Sequence, residues 1–177
     1  KDLIIIGGGS AGVAAAKKAA DFGQSVLLCE RDKMGGTCVS YGCVPKKIWH
    51  SIAHYRHSFE LATSHGWSLN NVSFSWEDAA TNCRRYVSEL NDRYHSICSE
   101  KGIEILTGAA RLVDSNTVEV NDVQYQAKKI LIAVGSKPMV LDVEGTALCD
   151  HSTDFFAWKS LPQSIVIIGG GYIAVEL

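Results

Sequence analysis

The sequence has no apolar stretch long enough to cross a bilayer: its longest candidates, Leu3 to Ile6 and Ile130 to Val134, are strand-sized and each runs into glycine. It has no block of one-signed charge either. Its 17 basic and 19 acidic residues leave a formal charge of -2, which excludes the electrostatic footprint of a nucleic-acid-binding protein. The opening residues, Lys-Asp-Leu-Ile-Ile-Ile-Gly-Gly-Gly, lack a Met and lack the h-region and cleavage site of a signal peptide. The expectation is that residues upstream, a targeting leader included, are missing. No short-period repeat is present. The six cysteines are scattered apart from one close pair and do not make the dense framework of a small secreted domain. These absences point to a soluble protein of a reducing compartment. There a spaced pair is more often catalytic or metal-binding than a structural staple, which directs attention to Cys38 and Cys43.

What is present suffices for a full core, with 46% hydrophobic residues in 177. Leu3 to Ile6 reads as a strand ending at Gly7, Ser10 to Phe22 as an Ala-rich helix closing at Gly23, and Ser25 to Cys29 as a second strand ending at Glu30. That is one right-handed βαβ unit with a parallel sheet. Lys46 to about His65 has helical spacing, and Ser75 with Asp78 three residues on predicts the cap of a second long helix running to about Lys101. Ile103 to Leu106 predicts another buried strand. Ala110 to Val113, Thr117 to Val120 and Val123 to Tyr125, separated by Asp-Ser-Asn and Asn-Asp, predict an inserted antiparallel meander. Ile130 to Val134 returns to the parallel core, Pro138 to Asp154 reads as irregular connector, and Ser164 to Ile168 reads as a strand opening a second unit. The predicted fold class is α/β, a Rossmann-like domain with a parallel sheet and an inserted antiparallel β-meander.

Gly7, Gly9 and Gly12 satisfy G-x-G-x-x-G directly after a strand and at the mouth of a helix, the context that motif requires. The glycines permit a tight turn and close approach of backbone to a pyrophosphate, while the helix amino terminus offers N–H donors to the phosphates. Glu30 stands where an acid accepts hydrogen bonds from a ribose, which suits FAD or NAD better than NADP. Gly169, Gly171 and Ala174 make a second fingerprint that meets Leu177 before its helix develops. The expectation is a natural protein that continues into a second dinucleotide domain.

Cys38 and Cys43 are close enough for a disulfide if the local backbone cooperates. A cycling dithiol needs one sulfur open to exchange and a thiolate stabilised by positive charge or a helix amino terminus. Lys46 and Lys47 supply charge nearby. Zinc is the alternative, because His50, His54 and His57 share one helix face, although the spacing fits no familiar finger. Cys29, Cys83, Cys98 and Cys149 read as small buried hydrophobes.

Taken together, GGGSAG at Gly7 to Gly12, GGTCVSYGCVPKK at Gly35 to Lys47, ILIAVGSKP at Ile130 to Pro138 and IIGGGYIAVEL at Ile167 to Leu177 carry a resemblance. Over essentially its whole length the chain resembles the FAD domain of the glutathione reductase branch of the pyridine nucleotide-disulfide oxidoreductases. The resemblance implies residues 1–160 as an FAD-binding domain with a redox dithiol and 161–177 as the start of an NADP(H)-binding domain. It implies that Cys43 faces the flavin in a charge-transfer contact and that Cys38 is the interchange thiol. It pairs Lys46 with Glu176 beside flavin nitrogen 5 and makes Tyr172 the gate of the nicotinamide pocket. Ser10, Glu30 and Thr37 would contact the FAD pyrophosphate and ribose, with Ala110 near the adenine. Ala11, Gly36, Gly108, Ala133 and Gly135 complete the cofactor-binding set.

The implied reaction passes hydride from NADPH to FAD and electrons through Cys43 to the Cys38–Cys43 disulfide, followed by exchange with glutathione disulfide. The implied enzyme is a homodimer without nucleic-acid or membrane partners, cytoplasmic, with an organelle as the alternative, and it holds no metal. Two departures stand out. Val134 replaces the family's usual Thr, and Ser40-Tyr41 replaces the commoner pair between the cysteines. The form Cys-Val-Pro-Lys-Lys suits glutathione or trypanothione reductases better than lipoamide dehydrogenases or thioredoxin reductases. The competing class is a non-catalytic FAD-binding fragment: without the nicotinamide and interface domains, the chain by itself is not expected to turn over.

Overall fold

The structure, a computed structural model, describes residues 1–139 and 141–177. Val140, inside the stretch read as connector, lies outside the described residues. The chain forms two compact units, Lys1–Ser40 with Ser88–Met139 and Tyr41–Val87 with Val140–Leu177.

The first unit is built on β1 (Leu3–Ile6), α1 (Ser10–Asp21) and β2 (Val26–Glu30). Further along come β3 (Glu104–Thr107), β4 (Ala110–Leu112), β5 (Thr117–Val120), β6 (Val123–Gln126) and β7 (Lys129–Ile132). Four strands pair in parallel in the order β3-β2-β1-β7, with Ile5 opposite both Leu28 and Leu131. Side chains alternate across a strand, so a sheet covered on both faces needs apolar residues at every position. β1 and β2 meet that demand. Ile5, Val26 and Leu28 pack with Val13 and Ala16 of α1 and with Cys98, while Ile4, Ile6, Leu27 and Cys29 pack with Val118, Val120 and Ala127. Val118 and Val120 belong to β5 of the antiparallel sheet β4-β5-β6, the inserted meander that the sequence predicts, and they pack on the opposite face.

A polar latch fixes the start of this register. Asp2 and Ser25 exchange hydrogen bonds at 2.9 Å in both directions, and Lys128 Nζ sits 2.7 Å from Asp2 Oδ1. The Lys128 ammonium and the Ser25 donors hold the Asp2 carboxyl well below the usual carboxylate range.

The second unit contains all of α3 (Cys43–Ser64) and the first half of α4 (Trp76–Glu100). Ser75 caps α4 as expected, its Oγ accepting the Asp78 N–H at 3.2 Å. α3 starts at Cys43 rather than Lys46, because Pro45 falls in the first turn, where its missing N–H is one of the donors that have no helical partner anyway. The dithiol segment is helical as well, forming the six-residue α2 (Gly36–Tyr41).

Two other expectations are corrected. The connector contains a 3-10 turn at Thr146–Leu148 and the short α5 (Ser152–Phe155), whose amino end is closed by the Asp154 carboxylate accepting the His151 N–H at 2.7 Å. Ser164–Ile168 is not a strand: its backbone joins no ladder among the described residues, and Val166 and Ile168 are exposed. A strand's N–H and C=O groups are satisfied only by a neighbouring strand, however apolar its own sequence. After it comes α6 (Tyr172–Glu176). No helix among the described residues is long and apolar enough to cross a membrane.

Leu28 is fully buried between two paired strands. Leu28→Ala is expected to lower unfolding stability by about 2–5 kcal/mol in urea titration, whereas a change below about 1 kcal/mol would mean that this sheet is not the centre of the core.

Candidate functional site

In the first unit, the segments leaving the carboxyl ends of the parallel strands converge. Gly7 follows β1 with φ 108, a conformation side chains rarely adopt, and donates its N–H to the Cys29 carbonyl at 2.8 Å. A Cβ there would fall on the Ala133 carbonyl oxygen, and a Cβ at Gly12 would fall on the Gly7 carbonyl oxygen. Ala133 closes the other side, its N–H donating to Ile6 O at 2.8 Å. These three positions therefore hold the sheet, the turn and α1 at a separation that no side chain permits.

Gly9 differs. Nothing lies nearer to a Cβ built on it than Gly36 Cα at 3.8 Å, so the protein's own packing does not require glycine there. In a dinucleotide fingerprint this position serves close approach of a pyrophosphate. No side chain caps α1, and no acid occupies its first turn. The N–H groups at Ser10, Ala11 and Gly12 thus have no helical acceptor and lie at the positive end of the helix dipole, an anion site of the kind a pyrophosphate occupies. Glu30 ends β2 beside this turn. Its Oε2 accepts the Gly8 N–H at 2.6 Å and its Oε1 accepts the Asp32 N–H at 2.8 Å. A carboxylate accepts about four hydrogen bonds, so capacity remains for ribose hydroxyls. Gly108 joins the same place by donating its N–H to Glu30 O at 2.8 Å. The residues present therefore fit an adenine dinucleotide such as FAD.

The dithiol segment departs from this cradle. Gly35 donates its N–H to Gly8 O at 2.8 Å, and a Cβ at Gly36 would sit only 2.7 Å from Gly9 Cα. Thr37 is exposed, Cys38 is half-buried in α2, and Val39 and Ser40 turn into the interior. Ala110 opens β4, and Gly135, with φ 70, follows β7.

The second unit carries Cys43, Lys46, Tyr172 and Glu176. Cys43 is exposed at the first position of the 22-residue α3. Lys46 Nζ lies 2.6 Å from Glu176 Oε2, joining the first turns of α3 to α6; the side chains are 27% and 45% exposed. Tyr172 opens α6 and is exposed. The segment before α6 is tied down by aromatic packing. Trp49 of α3 stacks on Trp76 at 4.1 Å, Phe155 meets both edge-on, and Trp76 Nε1 donates to Trp158 O at 3.2 Å. The rings of His50 and His54 are 6.5 Å apart and those of His54 and His57 6.1 Å. Among the described residues no group of three or more His, Cys, Asp or Glu is placed to hold a metal ion.

One polar residue escapes motif reasoning. Asn91, 8% exposed, donates from Nδ2 to Met34 O at 2.7 Å and to Ser40 Oγ at 3.1 Å. Its signal was legible as periodicity: Ala80, Cys83, Val87, Asn91 and Cys98 are the buried stripe of α4, and Asn91 is its polar member.

The remaining cysteines separate by environment: Cys29, Cys83 and Cys98 are buried as expected, whereas Cys149, also read as buried, is exposed. Burial pushes the Cys29 thiol up to about 11, with the Glu104 charge adding to it, and burial raises Cys83 and Cys98 as well.

The pyridine nucleotide-disulphide oxidoreductase family model matches residues 1–177. The chain is 41% identical over 175 residues to a glutathione reductase of Nostoc sp., covering 99% of this chain and 38% of the relative. It is 39% identical to one of Burkholderia cepacia, again over 99% of this chain and 39% of the relative. A chloroplastic/mitochondrial glutathione reductase of Pisum sativum is 35% identical, with 99% of this chain and 34% of that protein covered. Among solved structures, the HOCl-induced flavoprotein disulfide reductase RclA from Escherichia coli superposes with a TM-score of 0.82 at 27% identity, over 99% of this chain and 38% of that one. The chain thus spans about two fifths of the length of these relatives.

In the reduced, folded chain, iodoacetamide at pH 8 is expected to label exposed Cys43 well before Cys29, whose thiolate fraction at that pH is about a thousandth. Peptide mass spectrometry reads the order, and equal labelling of the two would contradict the burial of Cys29.

Proposed function

The chain belongs to the pyridine nucleotide-disulphide oxidoreductase family, and from that premise we propose that it carries the FAD-binding and dithiol part of a glutathione-disulfide reductase driven by NADPH. The observation that carries this reading is the Gly8–Gly35 hydrogen bond: the strand-turn-helix cradle and the segment bearing Cys38 are one piece of structure, with two residues between Gly35 and Cys38. The dithiol segment thus starts at the cradle itself, which supports reading Cys38 and Cys43 as a pair that serves what the cradle holds. The glutathione reductases among the relatives support the substrate, and residues 1–160 and 161–177 are assigned to FAD-binding and NADP(H)-binding domains respectively.

Ser10, Ala11 and Gly12 receive the pyrophosphate through backbone donors, Gly7 and Gly9 shape the turn that admits it, and Glu30 receives the ribose. Gly36, Thr37, Gly108, Ala110, Ala133 and Gly135 line the rest of the cradle. FAD, when bound, supplies a two-electron relay between reduced nicotinamide and the dithiol. The chemistry of the chain itself is thiol-disulfide exchange. The Cys38 thiolate attacks one sulfur of glutathione disulfide, the S–S bond breaks, and one glutathione leaves as thiolate and takes a proton. Cys43 then attacks the Cys38 sulfur, the second glutathione leaves in the same way, and a Cys38–Cys43 disulfide closes. Two electrons from NADPH reopen it. Cys43, at the amino terminus of α3, stands where free N–H donors and the helix dipole favour negative charge. Lys46 adds a cation one turn on, and Glu176 fixes where that cation sits. Tyr172, exposed beside this pair in sequence, is assigned to the nicotinamide pocket. The working form is assigned as a homodimer and the compartment as cytoplasm, with an organelle as the alternative.

The FAD-loaded full-length protein is expected to oxidise NADPH in the presence of glutathione disulfide, and Cys38→Ser to lower kcat by at least about a thousandfold. No NADPH oxidation with glutathione disulfide would overturn the substrate assignment, and unimpaired turnover by Cys38→Ser would overturn the role of the dithiol.

A further inference from the structure

The segment that presents Cys38 has little to hold it in its own sequence. It begins with two consecutive glycines in the left-handed region, Gly35 and Gly36, and continues as a helix of only six residues. Glycine loses the most conformational freedom on ordering, and an isolated helix of that length is unstable in water. Tertiary contacts must therefore fix where Cys38 points.

Beside the Gly35–Gly8 bond, Asn91 supplies two of them from α4. Met34 lies four residues before Cys38 and Ser40 two residues after it, and the Asn91 amide reaches both, donating to Met34 O at 2.7 Å and to Ser40 Oγ at 3.1 Å. All three residues are buried, with 6%, 6% and 8% exposure for Met34, Ser40 and Asn91. The orientation of the amide follows from its partner: a carbonyl oxygen only accepts, so the atom facing Met34 O must be the NH₂ group. The other amide atom has no such use. Asn91 Oδ1 is buried and accepts no hydrogen bond among the described residues. A buried acceptor left unpaired weakens a fold, so this amide serves through its donors and is otherwise a burden to the core.

We propose that Asn91 is the positioning residue of the dithiol, bracketing Cys38 by tying Met34 and Ser40 to α4 and so setting how readily the Cys38–Cys43 disulfide forms. This rests on the reading of Cys38 and Cys43 as a cycling pair. Disulfide geometry is narrow, and a bond closed away from it is strained and easily reduced. Holding one end of the pair in place therefore bears on the equilibrium between dithiol and disulfide.

The test equilibrates the full chain in glutathione redox buffers and quantifies the Cys38–Cys43 disulfide by thiol trapping and peptide mass spectrometry, with the melting temperature recorded beside it. Asn91→Leu keeps the number and branching of the side-chain heavy atoms, removes the donors and removes the orphaned oxygen. Its melting temperature is expected to stay within about 5 °C of the parent, while its disulfide becomes about tenfold easier to reduce, a rise of about 30 mV. Ser40→Ala, which removes one arm only, is expected to shift the equilibrium about threefold in the same direction. Asn82→Leu, on the exposed face of the same helix, is expected to leave it unchanged. A folded Asn91→Leu protein with the parent's potential would overturn the proposal; if that variant does not fold, an unchanged Ser40→Ala equilibrium overturns it instead. A parent chain that forms no reversible Cys38–Cys43 disulfide would remove the underlying reading, whereas a parent that cycles beside an unchanged Asn91→Leu removes this proposal alone.

Discussion

At the carboxyl edge of the parallel sheet, backbone meets backbone at a distance that a single methyl group would forbid. Gly7 lies against the Ala133 carbonyl, Gly12 against the Gly7 carbonyl, and Gly36 against Gly9. The turn after β1, the amino terminus of α1, the end of β7 and the start of the dithiol segment are held together by that exclusion of side chains. Much of the rest follows from it. α1 can lie close on the sheet only because Gly12 has no Cβ, its amino terminus opens toward the crevice, and the segment carrying Cys38 begins there because Gly35 bonds to Gly8.

Glu30 braces the same turn. Its two oxygens accept the Gly8 and Asp32 N–H groups and keep further acceptor capacity. The sheet behind it is stiff, because β1 and β2 are apolar on both faces and enclosed by α1 on one side and by the antiparallel sheet on the other. A site that depends on separations of a few tenths of an ångström needs such a support. The second unit uses a different device: stacked and edge-on aromatic rings pack α3, α4 and α5 together, and Glu176 of α6 meets Lys46 of α3.

The parts legible in the sequence were those written in local patterns. Ile-Ile-Ile into Gly-Gly-Gly announced β1 and its turn, Ser75 with Asp78 announced α4, and Asp-Ser-Asn and Asn-Asp cut the meander into its three strands. What could not be read there depends on partners far along the chain. Ser164–Ile168 has strand composition but nothing to pair with. α3 begins three residues before the helical spacing read from Lys46, because the first turn of a helix tolerates Pro45. The stacking of Trp49 on Trp76, and of Phe155 against both, joins residues separated by up to about a hundred positions, which no periodicity encodes. Asn91 was within reach, as a polar residue on an otherwise apolar helical stripe, but its partners Met34 and Ser40 were not.

The division of the cysteines completes the chemical picture. Cys29, Cys83 and Cys98 are buried with their thiols pushed toward the neutral form, while Cys43 opens a helix in solvent and Cys38 lies half-buried next to the cradle. That Cys38 and Cys43 form an electron relay beside FAD is tested most directly by the absorption spectrum of the FAD-loaded full-length protein during two-electron reduction. The expected result is a long-wavelength band from the Cys43 thiolate against the flavin, retained in Cys38→Ser and lost in Cys43→Ser. A band that survives Cys43→Ser, or that never forms in the parent protein, would contradict it.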